Sequence, residues 1–89
     1  MNSVQVSARL TQDPERTELG SCMLKICYSK TSGKNCYITA IANGRLADKA
    51  IKLNKGDVIW IEGQLSGFHS DKWKTYIQVT GITPPGGER

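Results

Sequence analysis

The side chains of this sequence best suited to chemistry are flat aromatic rings interleaved with cations. Its 89 residues include two Trp, three Tyr and one Phe, and its 12 Lys and Arg outnumber 8 Asp and Glu to give a formal net charge of +4. Rings stack on nucleic-acid bases of any sequence, and cations contact phosphates with equal tolerance. The candidate contact residues are the rings Tyr37, Trp60, Phe68, Trp73 and Tyr76 and the cations Arg9, Lys25, Lys34, Lys72 and Lys74. A charge of +4 is compatible with a polyanionic partner but does not require one.

Each candidate also has a purely structural interpretation. Trp73 follows a polar loop and shares strand parity with apolar residues, so core packing is its alternative role. Phe68, which its context predicts to be exposed at a loop tip, could make a subunit contact, and Trp60 suits subunit packing as well as stacking. Tyr28 has the parity of inward-facing residues, which favours the core. Any single lysine has solubility as its alternative.

Catalytic and metal-binding patterns are absent from the sequence. The three cysteines, Cys22, Cys27 and Cys36, include no CxxC spacing, and His69, the one histidine, lies far beyond them, which leaves a zinc site short of ligands. His69 and Asp71 belong to no recognisable nucleophile motif, and the sequence has neither a P-loop nor GxGxxG. We therefore expect no enzyme activity, no cofactor, no metal and reduced thiols.

Alternation of apolar and polar residues predicts five strands. They cover residues 4–10, 22–28, 36–42, 57–65 and 73–82. Between the third and fourth strands the apolar period changes to that of a helix, over 44–56, with Asn43 as the predicted N-cap and Gly56 as the closing residue. Turn chemistry at Asp13-Pro14 separates the first two strands.

This order of elements predicts an all-β fold. A chain with five strands avoids exposed edges most easily by closing into a barrel, and the order β-β-β-α-β-β is that of the oligonucleotide/oligosaccharide-binding (OB) fold. We expect one domain over residues 1–83 and a flexible tail over 84–89. The polar start is no signal peptide and no apolar run could span a membrane, which predicts a cytoplasmic protein.

Three sequence strings, which stand in the same order and at compatible spacing as in a known family, carry a resemblance to it. They are MNSVQVSARLTQDPE at the start, GRLAD at 44–48 and KGDVIWIEGQL at 55–65. Over residues 1–82 the chain resembles the bacterial single-stranded DNA-binding protein family. The resemblance implies an OB barrel that binds single strands without sequence preference as a dimer or tetramer. It also places Tyr37 at the family's position for a stacking tryptophan.

The departures from the family pattern limit what can be carried over. Ala8 replaces the usual Gly, and the connection 29–35 is shorter than the family's long loop. Asn43 stands where members often carry an aromatic residue. The sequence stops at Arg89 without the acidic tail by which the family recruits replication and repair enzymes, so it resembles either a short member or a member whose tail has been removed, and recruitment by a tail is not carried over.

We therefore expect a non-enzymatic homo-oligomer that coats single-stranded DNA during replication, recombination or repair, with RNA as a possible ligand. One alternative is a primosomal replication-restart accessory, an OB protein that binds single strands and a helicase. Another is an OB module that binds only proteins, in which the charge of +4 is incidental.

Overall fold

Regular alternation of apolar and polar residues produces the strands, as the sequence indicated. The computed structural model describes residues 2–29, 32–68 and 74–84. Its elements are β1 (Val4–Leu10), β2 (Glu15–Arg16), β3 (Cys22–Ser29), β4 (Asn35–Ala42), α1 (Arg45–Ala50), β5 (Val58–Gly67) and β6 (Thr75–Thr83). None of its helices is long and apolar enough to cross a membrane within these described ranges.

The strands form one sheet that closes on itself. Their order is β1-β5-β6-β4-β3-β2, and an additional pairing of β1 with β3 completes a barrel of five long strands. β4 and β6 are parallel, and the other pairs are antiparallel. This is the OB topology, so the prediction of a closed all-β barrel is confirmed. Because the two-residue β2 is counted, the helix lies between β4 and β5, which are the third and fourth strands of the prediction.

The inward side chains of all five long strands fill the barrel. The largest of them, each almost wholly buried, are Leu10, Leu24, Ile26, Ile59, Ile61 and Ile77. Tyr28 is half-buried and packs against this core, as its parity predicted. Cys22 is also inside, where burial raises the pKa of its thiol and nearby Arg16 partly offsets the effect. All three cysteines are free thiols.

The predicted helix was wrong in its start and its length. The N-cap is Gly44, with φ of 59°, and no side chain caps the helix. The Asn43 side chain instead accepts a hydrogen bond from the Ser21 hydroxyl. The helix ends at Ala50 because Leu53 turns into the core, with its N–H 3.0 Å from the Ala50 carbonyl oxygen.

Gly56 does not close the helix but forms the turn that leads into β5. Its φ is 91°, a conformation that favours glycine, and its N–H donates to the Leu10 carbonyl oxygen at 2.9 Å. Asp13 reaches the same turn, since its Oδ1 accepts from the Lys55 N–H at 2.8 Å. The Asp57 Oδ2 accepts from the Asn54 N–H at 2.8 Å. These bonds fasten the end of β1 to the start of β5.

The sequence missed β2 and misplaced several strand ends. Glu15 and Arg16 form two bridges with β3, in a segment that was predicted to be only a turn. β5 continues to Gly67 and β6 to Thr83, beyond the predicted ends at 65 and 82, because each keeps pairing with the other. The start of the predicted fifth strand at 73, and residues 85–89 of the predicted tail over 84–89, lie outside the described residues.

The close approach of β5 and β6 generates a prediction at Gly63, beside the irregularity in their pairing. A Cβ at Gly63 would overlap the Gln78 carbonyl oxygen and lie 2.8 Å from Ile77 Cγ2, so the backbone itself must move. We expect Gly63→Ala to lower the free energy of unfolding by about 1–3 kcal/mol, measured by urea denaturation.

Gly81→Ala is the matched control, because its added Cβ meets nothing closer than Glu62 Cβ at 3.8 Å. We expect a change within about 0.5 kcal/mol. Equal stability of the two variants would contradict this account of the β5–β6 contact.

Candidate nucleic-acid interface

The pairing that closes the barrel aligns a cation and an exposed ring on its outer surface. Arg9 on β1 is opposite Val58 on β5 and Cys27 on β3, and Cys27 is opposite Tyr37 on β4. Directly paired residues share a face, so these four form one outward row. Arg9 and Tyr37 are two strand spacings apart, about 10 Å. Tyr37 is 70% exposed, which leaves its ring free to stack.

A second row lies beside the first. Lys25 on β3 is opposite Thr39 on β4, Thr39 is opposite Tyr76 on β6, and Tyr76 is opposite Ser66 on β5. Lys25 is exposed, and its carbonyl oxygen accepts from both the N–H and the Oγ1 of Thr11, at 2.9 and 3.0 Å. These bonds hold the backbone at Lys25 and leave its ammonium group to solvent.

Lys25 and Tyr37 line one shallow depression of about 220 Å³ between β3 and β4. Thr11 and Thr39 line it as well. A positive charge and a ring at one depression are what a nucleotide requires, since the charge can meet the phosphate while the ring meets the base.

Phe68 and Tyr76 form a second aromatic platform. Their ring centroids are 4.8 Å apart, with the planes tilted by 52°. The Phe68 N–H donates to the Lys74 carbonyl oxygen at 3.1 Å, which ties the end of β5 to the start of β6. Phe68 is half-buried and its ring packs on Tyr76, so the prediction of an exposed ring was wrong.

We name the outer surface that carries both rows and this platform the belt. The candidate residues in the belt are Arg9, Lys25, Tyr37, Phe68 and Tyr76. The belt therefore brings together five of the ten candidates of the sequence, from four strands and one hairpin.

The other candidates lie apart from the belt or outside the described residues. Lys34 is exposed just before β4, and Lys74 is exposed just before β6, so both stand at its margins. Lys72 and Trp73 fall outside the described residues.

Trp60 is on a different part of the barrel. It is opposite Ser7 on β1 and Thr83 on β6, and it is 39% exposed. Its Nε1 donates to Glu62 Oε1 at 3.2 Å. A carboxylate beside this ring repels phosphate, so Trp60 is the candidate ring whose surroundings fit a nucleic acid least.

The sequence missed the residues that connect the candidates. Cys27 lies between Arg9 and Tyr37 and is 7% exposed although it faces outward. Thr39 occupies the same intermediate place between Lys25 and Tyr76. Strand alternation placed both on outer faces, but only the inter-strand register shows which candidates they join. Among the described residues no group of His, Cys, Asp or Glu could hold a metal ion.

Comparison with known proteins relates this geometry to solved structures. No protein-family model and no curated protein matches the chain. The second single-stranded DNA-binding protein from Mycobacterium smegmatis matches with a TM-score of 0.78 at 20% identity, over 93% of this chain and 87% of that one. The chain shares its fold.

Two further structures agree. The single-stranded DNA-binding protein from Thermus aquaticus matches with a TM-score of 0.75 at 22% identity. The match covers 100% of this chain but only 42% of the Thermus chain. The protein priB from Ralstonia solanacearum matches with a TM-score of 0.72 at 19% identity, over 94% of this chain and 98% of that one. At these identities the likeness concerns the fold.

Proposed function

We propose that this protein binds single-stranded DNA without sequence specificity, by stacking bases on the belt and contacting phosphates with its cations. The observation that carries the proposal is the alignment of Arg9 and Lys25 with the rings of Tyr37 and Tyr76 across paired strands. Two of the structural neighbours described above are named as single-stranded DNA-binding proteins, which supports the same ligand.

The proposal describes a binding protein and not an enzyme. Its roles would be to keep single strands extended during replication, recombination or repair. A cytoplasmic location belongs to the proposal, because the three cysteines are free thiols and thiols persist in reducing compartments. The likeness to the protein priB keeps a replication-restart accessory as the second candidate. Binding to a replicative helicase, measured by pull-down with purified components, distinguishes that role.

Tyr37 provides the most direct test of stacking. Tyr37→Ala should weaken binding to oligo-dT by about 1–3 kcal/mol, because one base loses its ring. The measurement is a fluorescence anisotropy titration. The side chain is 70% exposed, so its removal should leave the fold intact.

Two control variants distinguish stacking from other effects. Tyr37→Phe retains the flat ring and should bind nearly as well as the wild type. Leu19→Ala removes an even more exposed apolar side chain from a turn outside the belt and should change nothing. Unchanged affinity in Tyr37→Ala would remove this ring from the site, and wild-type protein that binds neither oligo-dT nor oligo-rU would favour the protein-binding module.

The cations of the belt generate a prediction for salt dependence. Each phosphate contact releases counterions, so Arg9→Gln and Lys25→Gln should each reduce the slope of log K against log salt by about 1. Lys52→Gln, an exposed cation beyond α1, should leave the slope unchanged. Equal slopes in all three variants would show that the phosphates lie elsewhere.

We also propose that the protein is a homo-oligomer assembled through β1. β1 pairs with β5 from Val4 to Arg9, but within the described residues it pairs with β3 only at Arg9 and Leu10. The edge of β1 over 4–8 is therefore open on one side. A half-buried apolar cavity of about 280 Å³ lies beside it, lined by Val4, Val6, Tyr28, Ile38, Leu65 and Ile77, together with Gln5.

An open edge with apolar surface beside it is a template for another strand, and a second copy of β1 could pair with it. Val4→Lys should shift the protein towards monomer in sedimentation equilibrium, because a charge at this edge opposes pairing. Val58→Lys places the same charge on an exposed outward position of β5 and should leave the assembly intact. A wild-type protein that is monomeric at micromolar concentrations would contradict this assembly.

A further inference from the structure

Two glutamines face each other beside the Phe68–Tyr76 platform. Gln64 on β5 is directly opposite Gln78 on β6, and the next outward pair along these strands is Ser66 and Tyr76. Gln64 is exposed and Gln78 is half-buried. Neither amide has a hydrogen-bond partner within residues 2–29, 32–68 and 74–84.

The residues that pair with Tyr76 across the strands are polar and uncharged, although Phe68 packs on its ring and the exposed cation Lys74 precedes it by two residues. Thr39 is opposite Tyr76 on β4, Ser66 is opposite it on β5, and the two glutamines follow in the adjacent row. The cations Arg9 and Lys25 lie on β1 and β3, at the other side of the belt. Phosphates are contacted mainly by cations, whereas base edges form hydrogen bonds with charged and neutral side chains, and glutamine is one of the neutral ones. Across the strand pairs, the cations Arg9 and Lys25 are thus divided from the neutral positions around Tyr76.

We propose that the amides of Gln64 and Gln78 form hydrogen bonds with the edge of a base that stacks on Tyr76. The inference rests on the proposed binding of single strands and specifies how one base is held. A primary amide carries both donors and an acceptor, and half a turn of the amide exchanges their positions. Since the edge of every base also offers donors or acceptors, the pair adds affinity without selecting a sequence.

The first experiment compares two ligands of equal shape on wild-type protein. One is oligo-dT, and the other is an oligonucleotide of the same length that carries 2,4-difluorotoluene, which stacks like thymine but lacks its hydrogen-bonding groups. We expect oligo-dT to bind about threefold to tenfold more tightly, the effect of one net hydrogen bond. Equal affinities would overturn the inference while leaving the proposed function intact, whereas binding to neither ligand would overturn both.

The second experiment assigns the preference to the two amides. The double variant Gln64→Met, Gln78→Met retains side-chain length and should reduce the preference for oligo-dT to about one, through weaker binding of oligo-dT alone. A preference that persists in the double variant would overturn the inference.

Gln12→Met is the matched control, because Gln12 lies between β1 and β2 and its amide already donates to Glu15 Oε1 at 2.9 Å. It should keep the full preference for oligo-dT. The single variant Gln64→Met changes only an exposed side chain, so it tests the same point without disturbing the packing of β6. A lower preference in Gln64→Met than in Gln12→Met is the expected result, and equal preferences in the two would contradict a role for Gln64.

Discussion

The structure depends on β1 pairing with two strands at once. Its long pairing with β5 begins the barrel, and its short pairing with β3 at Arg9 and Leu10 closes it. Leu10 and Ile26 meet inside at this point, and Arg9 and Cys27 meet outside, so one contact completes the core and the first row of the belt. Without this closure Arg9 would have no fixed relation to Tyr37, because β1 and β4 are otherwise joined only through β5 and β6. The candidate site is therefore a consequence of barrel closure.

The strings that carry the family resemblance contain residues whose side chains join separate elements of the fold. The Asp13 carboxylate accepts from the backbone of the turn at Lys55, which joins two of the strings, and the Asn2 side chain accepts from the Leu65 N–H at 2.7 Å. Asp48 in the string GRLAD forms an ion pair with Arg16 at 3.2 Å, which connects α1 to β2. The belt, in contrast, is drawn mainly from segments outside these strings. Resemblance over such strings accordingly indicates the fold more directly than it indicates the ligand.

The strands and the inward faces could be predicted because a half-buried strand alternates with a period of two, and this chain rarely departs from it. The helix was predicted too long, since the periodicity of Ala47, Ala50 and Ile51 continues into a turn that Leu53 forms to reach the core. β2 was missed because two residues are too few to show a period. The individual rings and cations could be identified from their types, but their grouping could not. Which outward residues become neighbours depends on inter-strand register, and that is determined by barrel closure rather than by any local pattern.

If the proposed site is correct, the division of the belt gives a physical reason why so few residues would tolerate any sequence. Stacking on Tyr37 and Tyr76 would use the face that every base has, and charge on Arg9 and Lys25 would use the phosphate that every nucleotide has. Neither interaction distinguishes one base from another, and the neutral amides beside Tyr76 can match any base edge by rotating. An arginine in place of Gln78 would offer only donors, so it would favour guanine. Affinity would then depend on the sequence of the strand. The neutral residues paired around Tyr76 are thus the feature that best fits the proposed binding of single strands without sequence specificity.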